Sequence, residues 1–353
     1  MVFIIFIAFV SLMGLLVLHE FGHFITAKKL GIPVEEFGVG YPPRLFGKKI
    51  GGTLYSVNLL PFGAFVKIPD KELREKPGPQ RALVLFAGIL SFWIIAAILI
   101  TLIFCLGAPF EITDQESGNL IDPKVQIAQV LSDSPAFSAG FKIGDVILAA
   151  KTQDSQTKNI NKVGEFQEFV AENLGKEIVL TISRGKQILE IKAIPRISPP
   201  EGQGALGVGL MRVAIRRYSF FPAIFQGVST TLKLTYQIIL GFADVIKNIF
   251  AKKPTGAELM GPVGIMDIFV RAGNLGLIYF LQTLALISLH VAIVNALPIP
   301  SFDGGMLFFL AIEKISKKDL NKKLEEGINT AFLLLLIALM FLVTIKDISK
   351  IIR

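Results

Sequence analysis

The sequence predicts an α-helical polytopic membrane protein with one water-soluble insert, and three observations carry that reading. Of the 353 residues, 52% are apolar and only 18% charged, where an ordinary soluble domain has about 25% charged. The apolar residues gather into four stretches, each long enough or nearly so to cross the hydrocarbon as a helix of about 20 residues. Between the second and third stretches the composition turns polar, which marks the insert. A single cysteine, Cys105, excludes a disulfide scaffold. The net charge of +8 would suit nucleic acid or anionic lipid. The basic residues lie between long uncharged stretches and form no DNA- or RNA-binding signature, so the lipid bilayer is the expected partner and nucleic acid is not.

In order, residues 1–30 are read as the first transmembrane helix, uncharged from Met1 to Leu18 and running into His19-Glu20. Its length suits a signal peptide, but a basic n-region is missing and a polar dipeptide stands where a small-residue cleavage site belongs. Residues 31–80 form a loop rich in Lys and Arg, and 81–110 the second transmembrane helix. Residues 111–217 carry short alternating runs such as Ile178-Val179-Leu180-Thr181-Ile182, the pattern of a β-rich soluble domain. Residues 218–271 read as an amphipathic membrane-surface segment, interrupted by Lys233, Asp244 and Lys247. Residues 272–313 are the third transmembrane helix, which ends in an Asp-Gly motif, and 327–346 the fourth. Ten Lys and Arg lie between Lys28 and Arg81, and five more, Lys314, Lys317, Lys318, Lys322 and Lys323, lie between the last two spans. The positive-inside rule therefore predicts both loops on the cytoplasmic side, with the termini and the insert extracytoplasmic.

The chemistry is concentrated in His19-Glu20-Phe21-Gly22-His23. Residues four apart share a helix face, so His19 and His23 can point at one Zn2+ while Glu20 acts as base on its water. Polar residues in a span are costly and are functional candidates by default. A catalytic zinc needs a third protein ligand and an open position. Asp303 is the best candidate, in Asn295-Ala296-Leu297-Pro298-Ile299-Pro300-Ser301-Phe302-Asp303-Gly304-Gly305. Pro298 and Pro300 break the helix there, and irregular backbone at membrane depth survives only around protein or a watery cavity. The weaker reading, that Asp303 caps the helix that follows, is compatible with ligation. His290, five residues before Asn295, is expected to be a hydrogen-bonded core histidine.

These motifs, with Ala27, Gly31 and Gly261-Pro262-Val263-Gly264-Ile265, resemble the site-2 protease family of intramembrane zinc metalloproteases, in particular the bacterial regulator-of-sigma-E protease type. Phe302 departs from the family's usual Leu-Asp-Gly. The resemblance implies His19, His23 and Asp303 as zinc ligands, Glu20 as base, and Asn295, with Pro298 and Pro300, as substrate-binding residues. Asn295 could instead serve an interhelical hydrogen bond. Gly51 to Pro69 resembles the family's membrane-associated β region, and either Gly51–Val57 or Gly63–Lys67 could offer an edge for β-addition. Ser134 to Ile147 looks like the helix-to-strand signature of bacterial PDZ domains, with Glu165 to Leu174 as groove helix; the Gly-Leu-Gly-Phe carboxylate loop is missing from Gly118 to Pro123, and the family implies a size filter.

The expected function is zinc-dependent intramembrane cleavage of single-pass membrane proteins, such as anti-sigma factors or signal-peptide remnants, in the bacterial inner membrane. Alternatives are a membrane-anchored zincin acting on soluble or misfolded proteins and a non-catalytic PDZ membrane adaptor. Nothing in the sequence defines an oligomeric state.

Overall fold

The computed structural model describes residues 2–116, 120–152, 156–185, 187–200, 202–252, 260–317 and 321–352; Gly118 and Lys318 lie outside them. The chain divides into two compact units, one of Met1–Ile103 with Phe221–Arg353 and one of Phe104–Phe220.

The first unit opens with α1 (Val2–Lys29), whose last turn carries Lys28 and Lys29, a favourable placement at the negative end of the helix dipole. Two long strands follow, β1 (Glu36–Ile50) and β2 (Thr53–Lys67), then the short α2 (Asp70–Arg74) and α3 (Gly78–Leu106). The strand pairing is more folded than a plain hairpin. Leu54–Val57 lies opposite Phe46–Lys49 on one side and Glu36–Val39 on the other, and Glu36–Val39 has Ala64–Lys67 on its far side. Leu54–Val57 is therefore interior to the sheet. Of the two segments expected to offer an edge, Gly51–Val57 is excluded by this double pairing, and Ala64–Lys67 remains.

The second unit holds β3 (Ala108–Ile112), β4 (Ile121–Val130), α4 (Pro135–Ala139), β5 (Val146–Thr152), β6 (Lys158–Asn159), α5 (Val163–Glu172), β7 (Ile178–Arg184), β8 (Gln187–Ala193) and β9 (Val208–Arg216). They form one sheet in the order β3-β9-β4-β5-β7-β8, with β6 on β5. Inward residues Val125, Ile127, Ile147, Ile178, Leu180 and Ile182 pack with Phe166 and Phe169 of α5. Ser134 caps α4 by accepting from Phe137 N at 3.2 Å. Buried Asp145 accepts from Lys142 N at 2.9 Å and from Arg184 Nε at 2.7 Å. These bonds explain why Ser134 to Asp145 reads as a helix-to-strand signature.

Back in the first unit, α6 (Phe220–Phe250) buries only Ala223, Gly227 and Thr231 along one face. It is followed by α7 (Pro262–Leu275), α8 (Leu277–Ala296), α9 (Asp303–Ser316) and α10 (Lys322–Ile352). The expected third span thus begins later than residue 272, because Ala272 to Leu275 belong to α7 and Gly276, at φ 126°, separates the two helices. It also ends earlier than 313, since the prolines stop α8 at Ala296 and a separate helix starts at Asp303. Among the described residues four helices are long and apolar enough to cross a membrane: Val2–Lys29, Gly78–Leu106, Leu277–Ala296 and Lys322–Ser349. Ala8, Leu15, Phe92, Phe269, Phe280, Leu284 and Ala292 join α1, α3, α7 and α8 in one cluster, reinforced by Ser288 Oγ donating to the Phe92 carbonyl at 2.8 Å. Asp347 of α10 accepts from the Gly261 and Gly264 amides at 2.7 and 2.9 Å, occupying the N-terminus of α7.

Candidate metal centre and active site

His19 and His23 stand one turn apart near the end of α1, and both are buried. Asp303 is the first residue of α9; Phe302, not Asp303, is the N-cap. The carboxylate is therefore not spent on a cap. The turn from α8 to α9 is tight enough that a Cβ on Gly304 would fall 2.5 Å from the Ala296 carbonyl. The Gly304-Gly305 pair lets α9 start against the backbone it has just left, and that aims Asp303 at α1.

The three donors form a nearly equilateral triangle. Asp303 Oδ2 lies 3.4 Å from His19 Nε2 and 3.4 Å from His23 Nε2, and the two Nε2 atoms are 3.4 Å apart. Such separations are long for hydrogen bonds. They match a metal's coordination edge, since donors about 2.0–2.1 Å from a tetrahedral zinc stand about 3.3–3.4 Å from one another. Asp303 Oδ2 is buried without a hydrogen-bond partner, and a bound cation would satisfy it. His23 Nδ1 donates to the Val84 carbonyl of α3 at 2.9 Å, which leaves the Nε2 lone pair free for a metal. His19 stacks on Phe92, with centroids 4.7 Å apart and planes 19° from parallel. Its Nδ1 is buried without a hydrogen-bond partner. Gly88 is the floor of the cradle, because a Cβ there would overlap the His23 ring and sit 2.8 Å from His19 Cε1. The residues present thus fit a tetrahedral cation, with one corner left for water or substrate.

Glu20 is half-buried beside the triangle, close enough for its charge to act on His23 and Asp303. The Lys67 carbonyl accepts from Glu35 N at 2.9 Å, so the neighbouring Val66 amide points the opposite way along the strand, toward the Glu20 carboxylate. Tyr41 of β1 also lies near Glu20, and burial together with that carboxylate pushes its phenol above its ordinary pKa.

Asn295 is in the last turn of α8, and its amide has no hydrogen bond among the described residues. The interhelical bond weighed for it is therefore not made there. Pro298 is exposed and Pro300 half-buried on the turn leading to Asp303. His290 corrects its expectation in part: Nδ1 meets the Leu286 carbonyl at 2.8 Å, but the ring is exposed, because it lies on the outward face of α8 and not in a core. Sequence reasoning missed the Val84 carbonyl, Gly88 and the Phe92 ring. The small residues Ala87, Gly88 and Ser91 on one face of α3 were the available signal. At that face a Cβ on Gly22 would come within 2.5 Å of the Ala87 oxygen.

In the second unit, α5 and β9 border a groove of about 350 Å³ lined by Phe166, Val170, Leu174, Leu206, Val208 and Leu210. Val208–Met211 pairs with β4 alone, whereas Arg212–Arg216 also pairs with β3. The strand bordering the groove is β9, and Ala205-Leu206-Gly207 leads into it along the groove wall.

Paired histidines and a carboxylate inside a helical membrane unit form a candidate metal centre of a membrane protein. The model of peptidase family M50 matches residues 7–339, and the chain belongs to that family, the site-2 proteases. It is 32% identical to a protein of Clostridium perfringens named as a zinc metalloprotease, over 97% of both chains. A Nostoc protein with the same designation is 30% identical over 98% of this chain and 96% of its own. The regulator of sigma E protease of Salmonella typhi is 26% identical over 97% of this chain and 98% of its own. The protein is accordingly a membrane-embedded zinc metalloendopeptidase.

Proposed function

We propose that His19, His23 and Asp303 hold the zinc, that Glu20 is the general base, and that the substrates are membrane segments of single-pass proteins. The single observation that carries the ligand set is the 3.4 Å triangle of otherwise unsatisfied donors. Zinc bound there supplies polarisation of the scissile carbonyl and a water acidified toward neutral pH. Glu20 takes the proton from the attacking water at its carboxylate and passes it to the leaving amine. The unbonded Asn295 amide is free for a substrate backbone, with Pro298 and Pro300 holding the turn open. The free side of Ala64–Lys67 accepts the unwound substrate as an added strand, which brings its backbone beside Glu20.

The same reading places the two basic loops in the cytoplasm and the second unit outside, as a PDZ-type domain that filters substrates by size. A second role is favoured by one observation: the apolar groove between α5 and β9, with a one-sided strand beside it, suits recruitment of an extended peptide. The test is co-expression with tagged single-pass proteins, comparing the wild type with Glu20→Gln. Cleavage within the membrane segment that vanishes with the variant is expected; cleavage confined to soluble domains would favour a membrane-anchored zincin.

A further inference from the structure

The turn that delivers Asp303 is also held from α10. Ser301, two residues earlier, has φ 74°, a left-handed conformation that residues with a Cβ rarely adopt. Two hydrogen bonds to one residue keep it there. Its N–H donates to the side-chain Oδ1 of Asn329 at 3.0 Å, and its Oγ donates to the Asn329 backbone carbonyl at 2.6 Å. From Ser301 the chain has one residue, the N-cap Phe302, before the carboxylate that faces both imidazoles. Tilting Ser301 therefore moves Asp303.

α10 brings little other anchorage to this point. No residue of its apolar window is buried within the protein. Its other described polar ties lie toward its two ends: Glu325 with Arg74 at 2.6 Å, Lys322 with Asp70 at 2.8 Å, and Asp347 at the N-terminus of α7. Asn329 is thus the place where α10 touches the segment bearing the third donor.

We propose that Asn329 is a positioning residue for Asp303: acting through Ser301, it holds the third metal donor in the triangle and couples the fourth span to metal affinity. The proposal rests on Asp303 being a zinc ligand, and the experiment separates the two. Zinc affinity of the purified full-length protein is measured by competition with a chelator, and thermal unfolding is followed with and without zinc. Asn329→Leu, which keeps volume and the backbone carbonyl but removes the Oδ1 acceptor of the Ser301 N–H, should weaken zinc binding about tenfold or more, as losses of outer-shell partners do. It should also shrink the zinc-induced rise in Tm while leaving the metal-free Tm nearly unchanged. Ser301→Ala, which loses only the hydroxyl bond, should weaken binding less. Asn329→Asp, which keeps an acceptor oxygen, should restore most of the affinity, and Thr330→Val, one residue along, should change nothing. Zinc affinity of Asn329→Leu within twofold of the wild type, beside an Asp303→Ala protein that has lost its zinc, would overturn the proposal alone. So would a lowered metal-free Tm with an undiminished zinc increment, which would mark a purely structural tie. Should Asn329→Leu not fold, Asn329→Ala takes its place, and unchanged affinity there would overturn the proposal. Asp303→Ala that retains zinc would overturn the ligand set and this proposal together.

Discussion

The two units use apolar side chains in opposite ways. In Phe104–Phe220 a core of large apolar residues is turned inward, with Leu180 1% exposed, and charges pair on the outside, as Lys151 does with Glu190. In the helical unit Phe3, Phe6, Ile98, Leu335, Phe341 and Leu342 point outward, while His19, His23 and Ser288 are buried inside. Water dictates the first arrangement and hydrocarbon the second. The polar groups needed for hydrolysis can therefore be gathered within the helices, where the surrounding apolar surface faces lipid. The lesson is that a buried polar cluster has different meanings in the two settings: Asp145 with Arg184 stabilises a turn, whereas Asp303 Oδ2, at one corner of the 3.4 Å triangle, is buried without a hydrogen-bond partner.

The sharpest way to break this division is to remove the base. Glu20→Gln should lower cleavage by roughly 10²–10⁴-fold while about one zinc per chain is retained, read by metal analysis of the purified protein. Loss of the metal with this variant would make Glu20 a ligand instead. Next in size is the contrast between the two kinds of apolar residue. Leu180→Ala should destabilise the second unit by about 2–5 kcal/mol, whereas Leu335→Ala, at a position 61% exposed, should change unfolding in detergent by less than about 0.5 kcal/mol. Equal effects would mean that α10 is packed against protein. A methyl at Gly88 comes third: Gly88→Ala should displace the imidazoles and weaken zinc binding by about tenfold, measured by chelator competition.

The effect of the second unit on trimmed substrates should be the smallest. Ala108 lies opposite Arg216 at the ends of β3 and β9, so residues 110–214 can be replaced by a short Gly-Ser loop without separating the chain ends. A filter predicts that this deletion admits substrates with bulky outer domains and leaves the rate on trimmed ones nearly unchanged. Slower cleavage of trimmed substrates at low concentration would assign the groove a recruiting role instead.

The helix-borne part of the site was legible because it is local: a spacing of four places His19 and His23 on one face whatever the fold. Asp303 was legible through two prolines that had to end a helix at membrane depth. Long-range contacts carried no comparable mark. Val84 holds His23 by a backbone carbonyl, for which any residue type would serve, and Asn329 meets Ser301 only because α10 returns past the α8–α9 turn. The interior position of Leu54–Val57 was hidden for a similar reason, since β-periodicity tells which face a residue takes but not which strand lies beside it. The boundary at Gly276 was more accessible, because a glycine after Asn274-Leu275 is a helix-stop signal even within an uncharged stretch.

The bond from His23 Nδ1 to the Val84 carbonyl has a consequence for the order of biogenesis. It joins α1 to α3 through the nitrogen turned away from the donor triangle, and the apolar cluster around Phe92 and Leu284 joins the same helices without the triangle's help. The scaffold can thus be complete before any ion arrives, unlike a zinc finger, whose chain is unfolded until it is metallated. Zinc then completes the site and not the scaffold that holds it.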